Sequence, residues 1–83
     1  MKNLTFNFTE SEVARIIELL ELAIPDFRSI VEDHSEDDHT RRHYLALAKE
    51  YNELFIKIGK QVDLAKWDYE RFDIESWDCK DIL

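Results

Sequence analysis

Two apolar stripes separated by a stretch with no apolar residue in it constrain this chain more than any other feature. Val13, Ile16, Ile17, Leu20, Ala23, Ile24, Phe27, Ile30 and Val31 recur at separations of mostly three and four, which places them along one side of a helix. Tyr44, Leu47, Ala48, Tyr51, Leu54, Phe55, Ile58 and Val62 repeat the pattern. Between the stripes, Asp33 to His39 is wholly polar and reads as a turn, with Ser35 or a nearby Asp as the next helix cap. Two amphipathic helices joined by a short polar connection become antiparallel neighbours. The expected fold is therefore all-α: a helical hairpin with helices near residues 10 to 32 and 37 to 61.

The first helix has a legible start. Thr9-Glu10-Ser11-Glu12 is a capping-box pattern, with Phe8 and Val13 placed to form a hydrophobic staple around it. Pro25 lies inside the stripe. It has no N–H for the carbonyl of Glu21, so it must kink the helix or split it, and the unbroken phase favours a kink. The second helix either ends near Gly59 or continues to about Leu64. Opposite charges at Asp37 and Arg41, Asp38 and Arg42, and Glu53 and Lys57 are spaced for ion pairs on a solvated outer face.

Flanking segments differ from the hairpin. Leu4, Phe6 and Phe8 alternate with polar residues, the period of a short strand or extended arm over residues 1 to 8. From residue 63 onward an aromatic and an acid recur as Trp67-Asp68, Phe72-Asp73 and Trp77-Asp78, a spacing of five that suits neither helix nor strand. An irregular or weakly helical segment laid on the hairpin is expected there, fraying after Trp77. The domain organisation is thus one small unit: arm 1–8, hairpin 9–62, acidic aromatic segment 63–83.

Composition excludes several functions. A net charge of −8 repels a phosphate backbone, since nucleic-acid binding depends on Lys and Arg displacing condensed counterions. The chain has one cysteine, so no intrachain disulfide forms and a secreted disulfide scaffold is not indicated. The first residues lack the continuous apolar stretch of a signal peptide, and no apolar run approaches membrane-spanning length. The expectation is a cytoplasmic protein.

Catalytic and metal chemistry find little foothold. Glu36, His39 and His43 have ligand spacing on a helix and are the strongest metal candidates, but they sit among acids and arginines in a polar helix start, where such residues serve the helix dipole. Cys79, near the end of the chain with Asp78 and Asp81 beside it, has a thiol disfavoured for ionisation. Gly-rich phosphate loops, nucleophile elbows and Cys-x-x-Cys pairs are missing from the sequence. The expectation is no enzyme, no cofactor and no metal.

The run Leu-Thr-Phe-Asn-Phe-Thr-Glu-Ser-Glu leading into Ile16-Ile17-Glu18-Leu19-Leu20-Glu21-Leu22 resembles small uncharacterised proteins of Gram-positive phages and prophages. Many of these open with a short alternating arm and a Thr-capped acidic helix and return on a second helix. The resemblance covers about residues 3 to 62. It implies a cytoplasmic accessory protein of a mobile element, with no catalytic residues to carry over.

Two partner surfaces are suggested. Leu19 and Leu22 flank the first stripe and widen it beyond what one helix covers, which points to a homodimer with four helices. Residues 63 to 83 carry seven acids against three bases, and aromatics set among acids suit a basic, partly apolar protein surface. Tyr69, Asp73, Trp77 and Asp78 are the expected contact residues of a non-enzymatic, acidic protein-binding module. An inhibitor occupying a basic surface fits this; a structural homo-oligomer is the alternative.

Overall fold

A computed structural model describes residues 3–61 and 72–83. It contains two long helices, α1 (Glu10–Val31) and α2 (Asp38–Gln61), followed by two 3-10 turns at Ile74–Ser76 and Lys80–Ile82. The helices pack on each other as an all-α hairpin, as the stripes require.

The capping box forms as read. Glu12 N–H donates to Thr9 Oγ1 at 3.1 Å and Thr9 N–H donates to Glu12 Oε1 at 3.0 Å, so two donors that lack intrahelical partners are satisfied reciprocally. α1 runs through Pro25 as one helix, so the split alternative does not occur. In the turn, the Asp33 carboxylate accepts from Ser35 N–H at 3.0 Å and from its hydroxyl at 2.6 Å. The cap of α2 is Asp37 rather than Ser35: Thr40 N–H donates to Asp37 Oδ2 at 3.1 Å. Gly59 lies within α2, which reaches Gln61 among the described residues.

The interhelical core has two parts. Ile17, Leu20 and Phe55 are buried toward the open end of the hairpin, with Val13, Ile16 and Ile58 packed around them. Toward the turn, Ile24, Val31, Leu45 and Ala48 are buried together with Ile74, Trp77, Cys79 and Ile82. Half of this larger cluster comes from the C-terminal segment. Phe27 bridges the helices, its ring centroid 5.6 Å from Tyr44 and 5.1 Å from Tyr51.

One expectation is corrected. The segment does not fray after Trp77, because Cys79 and Ile82 are as deeply buried as the helix residues they touch. A chain this short buries roughly 60–65% of its unfolded surface, so apolar side chains from the tail are needed to close the core. Of the two N-terminal alternatives the arm holds: residues 3–9 carry no regular structure, and Leu4, Phe6 and Phe8 are exposed, the two phenyl rings stacked at 6.0 Å.

Candidate functional site

The turn end of the hairpin holds a polar network that fastens the C-terminal segment, and Arg41 is its centre. Arg41 is fully buried although it is charged. Its Nε donates to the carbonyl of Val31 at 2.9 Å, while Nη1 and Nη2 donate to the two oxygens of Asp81 at 2.6 and 3.0 Å. That two-pronged geometry is the strong form of an arginine–carboxylate pair. Val31 closes α1, and the last carbonyls of a helix have no intrahelical donor; Arg41 supplies one. The pairing is not the outer-face bridge to Asp37 expected from spacing, and Asp38 lies at 3.6 Å as a weaker neighbour. Arg42 also turns toward the segment, its Nε donating to the Ile82 carbonyl at 3.0 Å.

Further contacts surround this pair. Asp78 N–H donates to Glu32 Oε2 at 2.8 Å, and Arg28, bonded to the same carboxylate group at 2.8 Å, lies with its guanidinium carbon 5.9 Å from the Trp77 ring centroid. His34 faces two carboxylates, Nε2 at 2.9 Å from Asp78 and Nδ1 at 3.3 Å from Asp81. Carboxylates only accept, so the imidazolium with both nitrogens protonated satisfies both. The hydrogen bond to Asp78 accordingly raises the His34 pKa, and the Arg41 guanidinium holds Asp81 down to about 2. Glu32 is lowered chiefly by the backbone N–H of Asp78, and Asp33 by the Ser35 hydroxyl.

These directions define a pH window. A carboxylate depressed in the folded state stabilises above its ordinary pKa and loses that contribution as pH falls through the folded value; a raised histidine stabilises below its ordinary pKa and loses it as pH rises through the folded value. Asp81, Glu32 and Asp33 therefore weaken the fold on acidification, in Asp81's case down to pH about 2. His34 weakens it above its ordinary value of 6.5. The melting temperature is expected to be highest between about pH 4.5 and 6.5 and to decline on both sides. His34→Gln removes the neutral-to-alkaline part of the decline and leaves the acid limb. Because the His34 side chain is half exposed, that part of the effect is small. Identical alkaline limbs in the variant and the parent, measured by thermal melts across pH, refute the assignment.

The residues expected to contact a partner divide. Asp73 is exposed, and its carbonyl accepts from the Ser76 hydroxyl at 2.8 Å and so shapes the first 3-10 turn. Asp78 is exposed but shares its carboxylate with His34. Trp77, placed outside by the sequence reading, is only 4% exposed and belongs to the core. Tyr69 lies outside the described residues.

The metal candidates do not converge. Glu36 stands in the turn ahead of α2, its Oε1 accepting from Asp37 N–H at 3.2 Å, so it does not share a helix face with His39 and His43. His43 packs edge-on to Tyr44 at 5.3 Å. Among the described residues no group of three His, Cys, Asp or Glu side chains is arranged to hold a metal ion. Cys79 is buried rather than exposed, and burial, more than Asp81, raises its thiol pKa. Both effects suppress the thiolate.

Comparison with family models, with curated proteins and with solved structures gives no match. No helix among the described residues is long and apolar enough to cross a membrane. The site's chemistry therefore rests on its own geometry. Arg41, His34 and Asp81 were not singled out by the sequence reading as a unit, because their partners stand 40 and more positions apart. One signal was present: Arg41, Leu45, Ala48, Asn52 and Phe55 step by four and three, so an arginine occupies a core position.

An open groove of about 590 Å³ runs between α2 and the C-terminal segment, past Lys49, Asn52, Phe72 and Lys80. Asn52 Nδ2 donates to the Phe72 carbonyl at 3.3 Å, while the buried Oδ1 has no hydrogen-bond partner. The lysines are balanced by Glu53, Asp73 and Glu75 along the same walls, so the groove has no net preference for an anion.

Proposed function

We propose that this chain is a non-enzymatic, acidic protein-binding module, an accessory or inhibitor protein of a phage or other mobile element, that occupies a basic surface on a protein partner. The observation that carries this reading is the way the C-terminal segment is laid down. Ile74, Trp77, Cys79 and Ile82 point inward, and Asp73, Glu75 and Asp78 are left exposed between them. Glu36, Asp37 and Asp38 are exposed at the neighbouring turn.

Fixing acids on an ordered backbone lowers the entropy lost on binding and lets their field steer a basic partner. Trp77 is held in the core, so affinity comes from charge and the half-buried Phe72 rather than from an inserted indole ring. Salt dependence is then pronounced.

Capture of partners from a host lysate, followed by direct titration of the retained protein, tests the reading. Asp73→Lys with Glu75→Lys is expected to weaken binding at least about tenfold, in line with reversing charges at an electrostatic rim, and to flatten its salt dependence. Unchanged helicity of the variant is the control. A retained partner with an acidic contact surface, or full affinity after both reversals, overturns the proposal.

A further inference from the structure

A two-helix hairpin has two open sides, and residues 72–83 cover one. Their contacts to Arg28, Glu32, Arg41, Arg42 and Asn52 all fall on that side. At about 100° per residue, Ile16, Leu19 and Ala23 of α1 and Leu47, Leu54 and Ile58 of α2 project from the other side. Leu19 is 66% exposed and Leu54 45%, and the other four are half-buried, so the stripe is apolar and unfinished. From Thr40 to Ile58 every α2 position facing this way is uncharged, in a chain of which 36% is charged.

We infer that this side of the hairpin, uncharged along α2, is a homodimer interface, on which a second copy of the same chain packs face to face to complete a four-helix arrangement.

Charge selects the occupant. A basic partner would be matched by carboxylates; α2 presents none on this side, and α1 presents only Glu12, in its first turn. Two chains that each carry −8 repel at every other orientation; on this face no like charges from α2 meet. Area is sufficient as well. Helices of 22 and 24 residues are about 33 and 36 Å long and each about 10 Å across, so side by side their full lengths offer on the order of 650 Å² per chain. Pairing two such faces hides on the order of 1,300 Å², within the roughly 1,200–2,000 Å² of stable specific interfaces. A two-fold axis lets one patch meet itself and closes the assembly at two copies. The inference is independent of the binding function proposed above: the acidic segment stays on the outside of both copies, so the dimer displays that surface twice.

Sedimentation equilibrium of the full chain from low to high micromolar concentration is the test, with three variants that add the same charge. Leu19→Glu and Leu54→Glu place a carboxylate in the interface of both copies, and each is expected to weaken association at least about 100-fold. Leu22→Glu is the matched control. Leu22 is 70% exposed but projects away from α2, on the outside of α1, so its variant should dimerise like the parent. Unchanged helicity by circular dichroism in all three, with cooperative melting, establishes that they fold; loss of the dimer itself lowers the melting temperature of the two interface variants. A monomeric parent overturns the inference, as does wild-type association in either Leu19→Glu or Leu54→Glu, or equal disruption by Leu22→Glu.

Discussion

Trp77→Ala is expected to destabilise the folded chain by about 3–5 kcal/mol, the range for deleting a large aromatic side chain from a packed core. The indole is 4% exposed and shares its cluster with Ile24, Val31, Leu45 and Ala48 of the helices. A domain of this length has roughly 4–12 kcal/mol of stability in total, so the loss is a large share of it. Urea denaturation monitored by circular dichroism measures the change. Because the alanine variant is liable to unfold outright, Trp77→Phe provides the graded comparison, with a smaller loss of about 1–2 kcal/mol expected from partial refilling of the space. A loss under about 1 kcal/mol for Trp77→Ala would mean that the segment is an appendage, and would return Trp77 to the candidates for partner contact.

The part of the structure held by local rules was legible in the sequence, and the part held by long-range polar contacts was not. Thr9 and Glu12 find each other three residues apart, and the stripes of α1 and α2 need only helical periodicity and a polar turn to choose their partner. Arg41 illustrates the other class. Read locally, it had acids one helical turn away and a place on a solvated face; in the fold it is buried, and it spends its donors on Val31 and Asp81. The phase of Leu45, Ala48 and Phe55 puts position 41 on the core side, and a buried guanidinium must find acceptors. What the sequence does not contain is which of its nineteen acids answers. The candidate site shares this division: Asp73 and Asp78 are exposed, as their charge suggests, whereas Trp77 is claimed by a core too small to do without it.

Arg41 and Asp81 make an asymmetric pair, and the asymmetry predicts an order of effects that intuition about charge alone would reverse. Asp81 keeps a 45% exposed side chain, whereas Arg41 has 1% of its side chain in water. Arg41→Met removes the buried charge and leaves a flexible apolar chain to fill its space, and the released Asp81 carboxylate can be hydrated. The remaining cost is the Val31 carbonyl, which loses its donor. Asp81→Ala does the opposite: the guanidinium stays buried, with Val31 and the more distant Asp38 as its acceptors and no carboxylate in bidentate contact. An unpaired buried charge costs more than an unpaired carbonyl. Asp81→Ala is therefore expected to loosen the C-terminal segment more than Arg41→Met. Cys79 reports this directly, because its thiol is 4% exposed while the segment is seated and becomes accessible when it lifts. Labelling of Cys79 by a thiol reagent under native conditions should be slow in the parent, faster in Arg41→Met, and faster again in Asp81→Ala by about tenfold or more over the parent, a ratio that corresponds to about 1.4 kcal/mol or more in the opening equilibrium. Equal rates in all three chains would mean that apolar packing of Ile74, Trp77 and Ile82 alone seats the segment. The reverse order, Arg41→Met labelling faster than Asp81→Ala, would mean that capping the Val31 carbonyl outweighs neutralising the buried charge.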